Sequence, residues 1–192
     1  MSAAAFYWPQ TGRLECLGTF PTAPALLDRG QADGVSNRYV EMSERGELNT
    51  LGQATVPVAQ WLAQVASHCV GQAISAVVAD RFKQAELGEG LNKAGVRAPV
   101  IWRGMGFKDG SEDCERFRRA CFDGRVCSPG SLLLRSAFAE AVVLKDPANN
   151  LKLAKGRSTG RIDAAAAAVL AVAEGSRQVA RVNKPGRAPV WA

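Results

Sequence analysis

The apolar positions of this chain change period several times, and each change marks a predicted element. Ala3 to Trp8 is short, apolar and aromatic. Pro9-Gln10-Thr11-Gly12 reads as a turn, and Leu14 to Phe20 alternates as a strand, so the chain opens on a β-hairpin. Pro21 and Pro24 break the pattern. Ala25 to Gln31 and Ser36 to Arg45 then read as helices, with Gly46 as a stop signal. Leu48 to Val56 is ambiguous and admits a short strand. Val58, Leu62, Val65, Ala66 and Cys69 recur at helical spacing before Gly71, which predicts an amphipathic helix.

Ile74 to Ala79 is a continuous run of small and β-branched residues ending in Asp80, the pattern of a strand buried on both faces. A helix over Lys83 to Ala94 is closed by Gly95, and Pro99 to Trp102 is the next buried strand. Gly104, Gly106 and Gly110 read as a loop, followed by a helix from about Glu112 to Phe122 capped by Ser111 or Asp109. Leu132 to Val143 begins as a helix. Asp146 to Asn150 is a turn between Val142–Lys145 and Leu151–Lys155, a second hairpin. Ile162 to Ala173 is an Ala-rich helix stopped by Gly175. This order predicts an α/β chain: one mixed sheet flanked by helices over residues 1–174, and a basic flexible tail over 175–192. An RNase H-like fold is compatible with the order, which does not by itself select it.

Composition supports one domain with a real core, because 47% of 192 residues are hydrophobic. No run of about 18 apolar residues occurs, so no membrane partner is expected. The first residues lack the charged and apolar regions of a signal peptide. Five cysteines, none paired as C-x-x-C, suit reduced thiols in a cytoplasmic protein.

Charge changes the picture more. The net +6 lies wholly in residues 145–192, which hold nine basic against three acidic side chains, while 1–144 is neutral. A basic segment beside a neutral body points to a polyanion partner, or to a solvated tail that aids solubility.

The candidate chemistry is narrow. No G-x-x-x-x-G-K-[ST] motif is present, so no P-loop lies in this chain. His68 is the only histidine, and nothing places a nucleophile beside it. Asp80 ends a buried strand, where α/β folds place ligand sites; it equally suits a cap for the helix that follows. Asp163 opens the Ala-rich helix, where the dipole favours an acid. The five alanines from Ala164 to Ala168 allow that helix to approach a sheet closely, which would carry Asp163 toward Asp80. Two such acids would form the core of a two-metal phosphodiester hydrolase. Glu86 reads as a solvated helix residue or an outer acid, and Glu112, Asp113 and Glu115 as an acid cluster at a helix N-terminus.

Four segments in this order resemble the nuclease domain of tailed-phage terminase large subunits. They are Ala79-Asp80-Arg81-Phe82, Trp102 to Asp113 (WRGMGFKDGSED), Ser131 to Ala137 (SLLLRSA) and Lys152 to Ala164 (KLAKGRSTGRIDA), the last being the most specific. The resemblance covers about residues 3–174. It implies an RNase H-like fold and Mg2+- or Mn2+-dependent cutting of double-stranded concatemeric DNA during genome packaging. It places two family carboxylates on Asp80 and Asp163, as metal ligands and catalytic residues. It sets Lys145, Lys152, Lys155, Arg157 and Arg161 against DNA phosphates. The terminase small subunit, the portal and a bacterial host cytoplasm are implied with it. Two departures stand out. The family's ATPase domain and its first catalytic Asp, on a central strand just before the segment matching Ser2–Trp8, are not in this sequence. The alternative function is therefore a non-catalytic DNA-binding or packaging-motor module.

Overall fold

The computed structural model describes residues 1–154 and 161–182. Strands β1 (Ser2–Trp8) and β2 (Arg13–Phe20) form the expected hairpin, antiparallel with Phe6 opposite Glu15. Helices α1 (Leu26–Ala32) and α2 (Arg38–Glu44) follow, and the ambiguous segment yields the short β3 (Leu48–Thr50), parallel to β2. Helix α3 (Val58–His68) leads to β4 (Val77–Asp80), a 3-10 turn over Arg81–Lys83, and α4 (Gln84–Lys93). Strand β5 (Val100–Arg103) lies parallel to β4 with Asp80 beside Arg103. Helices α5 (Phe107–Phe122) and α6 (Leu132–Ala139) precede the hairpin β6 (Val143–Lys145) and β7 (Leu151–Leu153), and α7 (Asp163–Val182) is the last element among the described residues.

The architecture is mixed α/β and RNase H-like, with strand orders β3–β2–β1 and β4–β5 beside the small β6–β7 ribbon. Helix α7 is the common support. It packs on β1, α5 and α6 and reaches β4. Ala164, Ala165, Ala168, Val172 and Ala173 are fully buried along it. Side chains this small allow the close approach of helix to sheet that the sequence foretold. With Leu14, Phe20, Met42, Leu48 and Leu133 they make the core. Among the described residues no strand bridges β1 and β4, and no helix is long and apolar enough to cross a membrane.

Three expectations change. The four residues of β4 are half-buried, so the run from Ile74 is not a strand enclosed on both faces. The expected loop 104–110 is largely helix, because α5 begins at Phe107. The Asp109 carboxylate accepts from the Gly104 amide at 2.8 Å, and the Leu151 carbonyl passes Gly110 at contact distance, 3.5 Å from where a Cβ would stand. The helix expected to stop at Gly175 runs on to Val182. A Cβ at Gly175 would meet the Tyr7 ring at 2.6 Å, so that glycine marks a close crossing of α7 over β1. Residues 175–182 are thus helical, and the rest of the expected tail, 183–192, lies outside the described residues.

Candidate active site

Asp80 is the last residue of β4 and is half-buried. One carboxylate oxygen accepts from the Phe82 amide at 3.1 Å, capping the 3-10 turn. The capping role weighed from sequence is therefore real. It takes one of the roughly four acceptor positions of a carboxylate and leaves the others for a cation. The ladder neighbour of Asp80 is Arg103, whose guanidinium is drawn off to Asp113 at 2.9 and 3.2 Å.

Asp163 is the first residue of α7, and its side chain is 23% exposed. Its neighbours Ile162 and Ala164 are 2% and 0% exposed, so the core on both sides fixes the backbone that carries the carboxylate. The Met1 amino group lies 4.0 Å from it.

Strand β4, which Asp80 ends, packs on α7, which Asp163 opens. Ser75 donates to Gln178 at 2.9 Å, which pins the entry to β4 against the far end of α7. From Ser75 the chain advances about 17 Å to Asp80, at the rise of a strand. From Gln178 the helix axis runs back about 22 Å to Asp163. Gly104 and Met105, just beyond β5, line a small cleft with Ala166, Val169 and Leu170, which brings the C-terminal end of β5 against the first half of α7.

Among the described residues no group of three His, Cys, Asp or Glu side chains is close enough to hold a metal ion. Two hard oxygen donors match the one or two carboxylates that Mg2+ takes while keeping several waters. They fit one cation better than a pair. Glu15 and Glu86 do not complete the set. Glu15 is bound by Arg13 and by His68 at 3.2 Å, and although burial pushes its carboxyl up, those partners hold it below the usual value. Glu86 pairs with Lys83 at 3.1 Å. The His68 ring lies tilted against Phe6 with centroids 4.5 Å apart.

Of the five candidate DNA contacts, Lys155 and Arg157 lie outside the described residues. Lys145 is exposed at the end of β6. Lys152 pairs with Leu144 in the β6–β7 register, so Lys145 and Lys152 project from opposite faces of the ribbon. The Lys152 ammonium sits 4.4 Å over the Phe107 ring. Arg161 binds Asp33 through Nε at 2.9 Å and a terminal nitrogen at 3.3 Å, with 44% of its side chain exposed.

Residues 17–178 match the family model of the terminase large subunit, endonuclease domain. This chain belongs to that family. It is 28% identical over 134 residues to the terminase large subunit of Enterobacteria phage HK97, an alignment covering 70% of this chain and 27% of that protein. The crystal structure of the HK97 bacteriophage large terminase superposes with a TM-score of 0.77 at 26% identity, over 84% of this chain and 33% of that one. The terminase nuclease domain described here thus spans a third or less of those relatives.

Two parts of this domain escaped the sequence reading. Asp113, read as an acid near a helix start, is 1% exposed and bridges Arg103 and Arg177, with Glu112 and Glu174 completing the network. Arg177, assigned to a solvated tail, is buried in it. The hydrogen bond from Arg116 is the main reason the Glu112 carboxyl is held below the usual range. The second is Asp33, which no local signal ties to Arg161, 128 residues away.

Proposed function

We propose that this chain is a metal-dependent DNA endonuclease domain in which Asp80 and Asp163 together hold Mg2+ or Mn2+. The observation that supports this reading is that Asp80 ends β4 and Asp163 opens α7, the helix against which β4 packs. A divalent cation bound there would polarise a phosphate oxygen or activate water. The protein's share is to orient the two carboxylates through the Phe82 amide and the buried neighbours of Asp163. The substrate is double-stranded concatemeric DNA, cut during phage genome packaging in the host cytoplasm. Lys145, Lys152, Lys155, Arg157 and Arg161 contact its backbone, and the small subunit and portal are the companion proteins.

A second reading, a DNA-binding module with little or no cleavage, is favoured by one observation. Among the described residues no three metal-ligating side chains come together, where a second metal would need at least one carboxylate beyond Asp80 and Asp163. Calorimetry with Mn2+ separates the readings from a wrong site. The parent should bind, and Asp80→Asn and Asp163→Asn should each abolish the heat. Binding by both variants equal to the parent would show the assignment to be wrong. Binding without plasmid cleavage would select the second reading.

A further inference from the structure

Each acid of the candidate site has an arginine close to it in the ladder or the chain, and in both cases another acid holds that arginine. Arg103 is the ladder partner of Asp80, and Asp113 binds it. Arg161 precedes Asp163 by two residues, and Asp33 binds it. Asp33 is well placed for this. It closes α1, its amide bonding the Arg29 and Gln31 carbonyls, and its Oδ2 also accepts from the Tyr39 hydroxyl at 2.9 Å. Tyr39 is 3% exposed and rests 4.9 Å from the Phe20 ring in the core. The Asp33 side chain is 16% exposed. A carboxylate anchored in this way presents both oxygens to the guanidinium in a two-pronged bond, which fixes direction as well as charge.

Building on the metal reading above, we propose that Asp33 is a positioning residue for the metal site. It orients Arg161 and takes up its charge, and so sets how strongly Asp163 attracts a divalent cation. An arginine next to a cation-binding carboxylate opposes the cation twice. Its own charge repels the metal, and its donors offer the carboxylate a competing partner. A neutral residue at 33 would release that guanidinium toward Asp163. The buried Ile162 holds the intervening backbone in place, so the side chain moves and the helix start does not.

The test is a charge cycle read by Mn2+ affinity, measured on the full chain by electron paramagnetic resonance of free Mn2+. Circular dichroism melting runs alongside. Asp33→Asn should weaken Mn2+ binding by roughly three- to tenfold, the scale of one partly screened charge at short range. Arg161→Gln should bind Mn2+ at least as tightly as the parent. The double variant should match Arg161→Gln, because without the guanidinium there is nothing for Asp33 to restrain. A purely structural Asp33 would instead lower the melting temperature and leave the double variant as weak as Asp33→Asn, which overturns the proposal. Unchanged Mn2+ affinity in a folded Asp33→Asn overturns it too. If Asp33→Asn fails to fold, Arg161→Gln decides alone: weaker binding than the parent refutes the charge argument, and equal or tighter binding supports it. A parent that binds no Mn2+ removes the metal reading itself, an outcome visible before any variant is compared.

Discussion

Replacing Asp113 by Asn tests whether the ion network beneath α7 holds this fold together. The Asp113 side chain is 2% exposed, and its partners Arg103 and Arg177 are 17% and 10% exposed. Asparagine keeps the shape and one acceptor oxygen, so no cavity opens and the change is one of charge. It leaves two buried guanidinium groups adjacent without the anion between them. Removing one member of a buried pair destabilises by about 3–5 kcal/mol. Glu112, 3.3 Å from Arg177 and 3.6 Å from Arg103, and Glu174, 3.3 Å from Arg177, supply part of the missing charge. The expected loss is therefore at the lower end, about 3 kcal/mol. For a domain of this size that corresponds to a fall of roughly 6–12 °C in melting temperature. Thermal melting by circular dichroism, backed by urea unfolding, measures it. Replacing the buried set together (Arg103→Met, Asp113→Leu, Glu174→Leu, Arg177→Met) should recover much of the loss, since no buried ion is then left unpaired and Glu112 keeps Arg116. A change within about 0.5 kcal/mol for Asp113→Asn, the range of ordinary surface substitutions, would refute the reasoning.

Gly175→Ala should destabilise although alanine is the better helix former by about 1 kcal/mol. The new Cβ meets a Tyr7 ring that is held by its hydroxyl bond to the Arg125 carbonyl at 2.8 Å, and overpacking of this kind costs roughly 1–3 kcal/mol; a raised melting temperature would contradict the close-crossing account. Burial pushes the Asp33 carboxyl up, yet the bonds from Arg161 and Tyr39 outweigh it and hold it below the ordinary range. Its stabilising contribution is then fully present above the unfolded value of about 4 and fades as pH falls through the lower folded value. The melting temperatures of parent and Asp33→Asn should converge in acid, and a gap that stays constant down to strong acid would count against it. Lys145→Ala with Lys155→Ala should weaken binding to unrelated duplexes alike and flatten the log-log salt dependence by about one unit for each lysine–phosphate pair removed; an unchanged slope would remove these lysines from the interface.

Much of the fold was legible because its signals are local. The alternation in Leu14–Phe20, the Pro9–Gly12 turn and the apolar runs at β4 and β5 each declare their element within a few residues. The two candidate acids were legible for the same reason, one ending a strand and one opening an alanine helix. What failed depends on residues distant in sequence. Gly110 and Gly175 have the letters of loop and stop, but each is a place where another element passes close to a helix. In the sequence Arg177 reads as part of a basic tail and Arg161 as a DNA contact, and Asp113 and Asp33 lie against them at separations of 64 and 128 residues. Charge counts locate basic residues along the chain and say nothing of which acids they meet.

Helix α7 packs on strands of two separate sheets. Strands β1 and β4 both lie under this helix, yet each is an outer strand of its own sheet, and no described strand joins them. Both therefore turn one row of backbone donors and acceptors away from any strand partner, which ladders normally satisfy. In an RNase H-like sheet the strand that would fit here is central. An acid on it would be the third carboxylate that two cations require. We expect that extending the chain ahead of Met1 by a strand bearing an Asp would act on fold and function together. Each ladder bond gained is worth about 0.5–1.5 kcal/mol net, so even four or five should raise the melting temperature by several degrees. Plasmid cleavage in Mn2+ should rise in the same protein. The same extension with Asn in place of the Asp should keep the thermal gain and lose the cleavage. A stabilised protein whose cleavage is unmoved by the acid would show that the strand completes the sheet without completing the site. Strong cleavage by the unextended chain, abolished in Asp80→Asn, would show that the two acids already in place suffice.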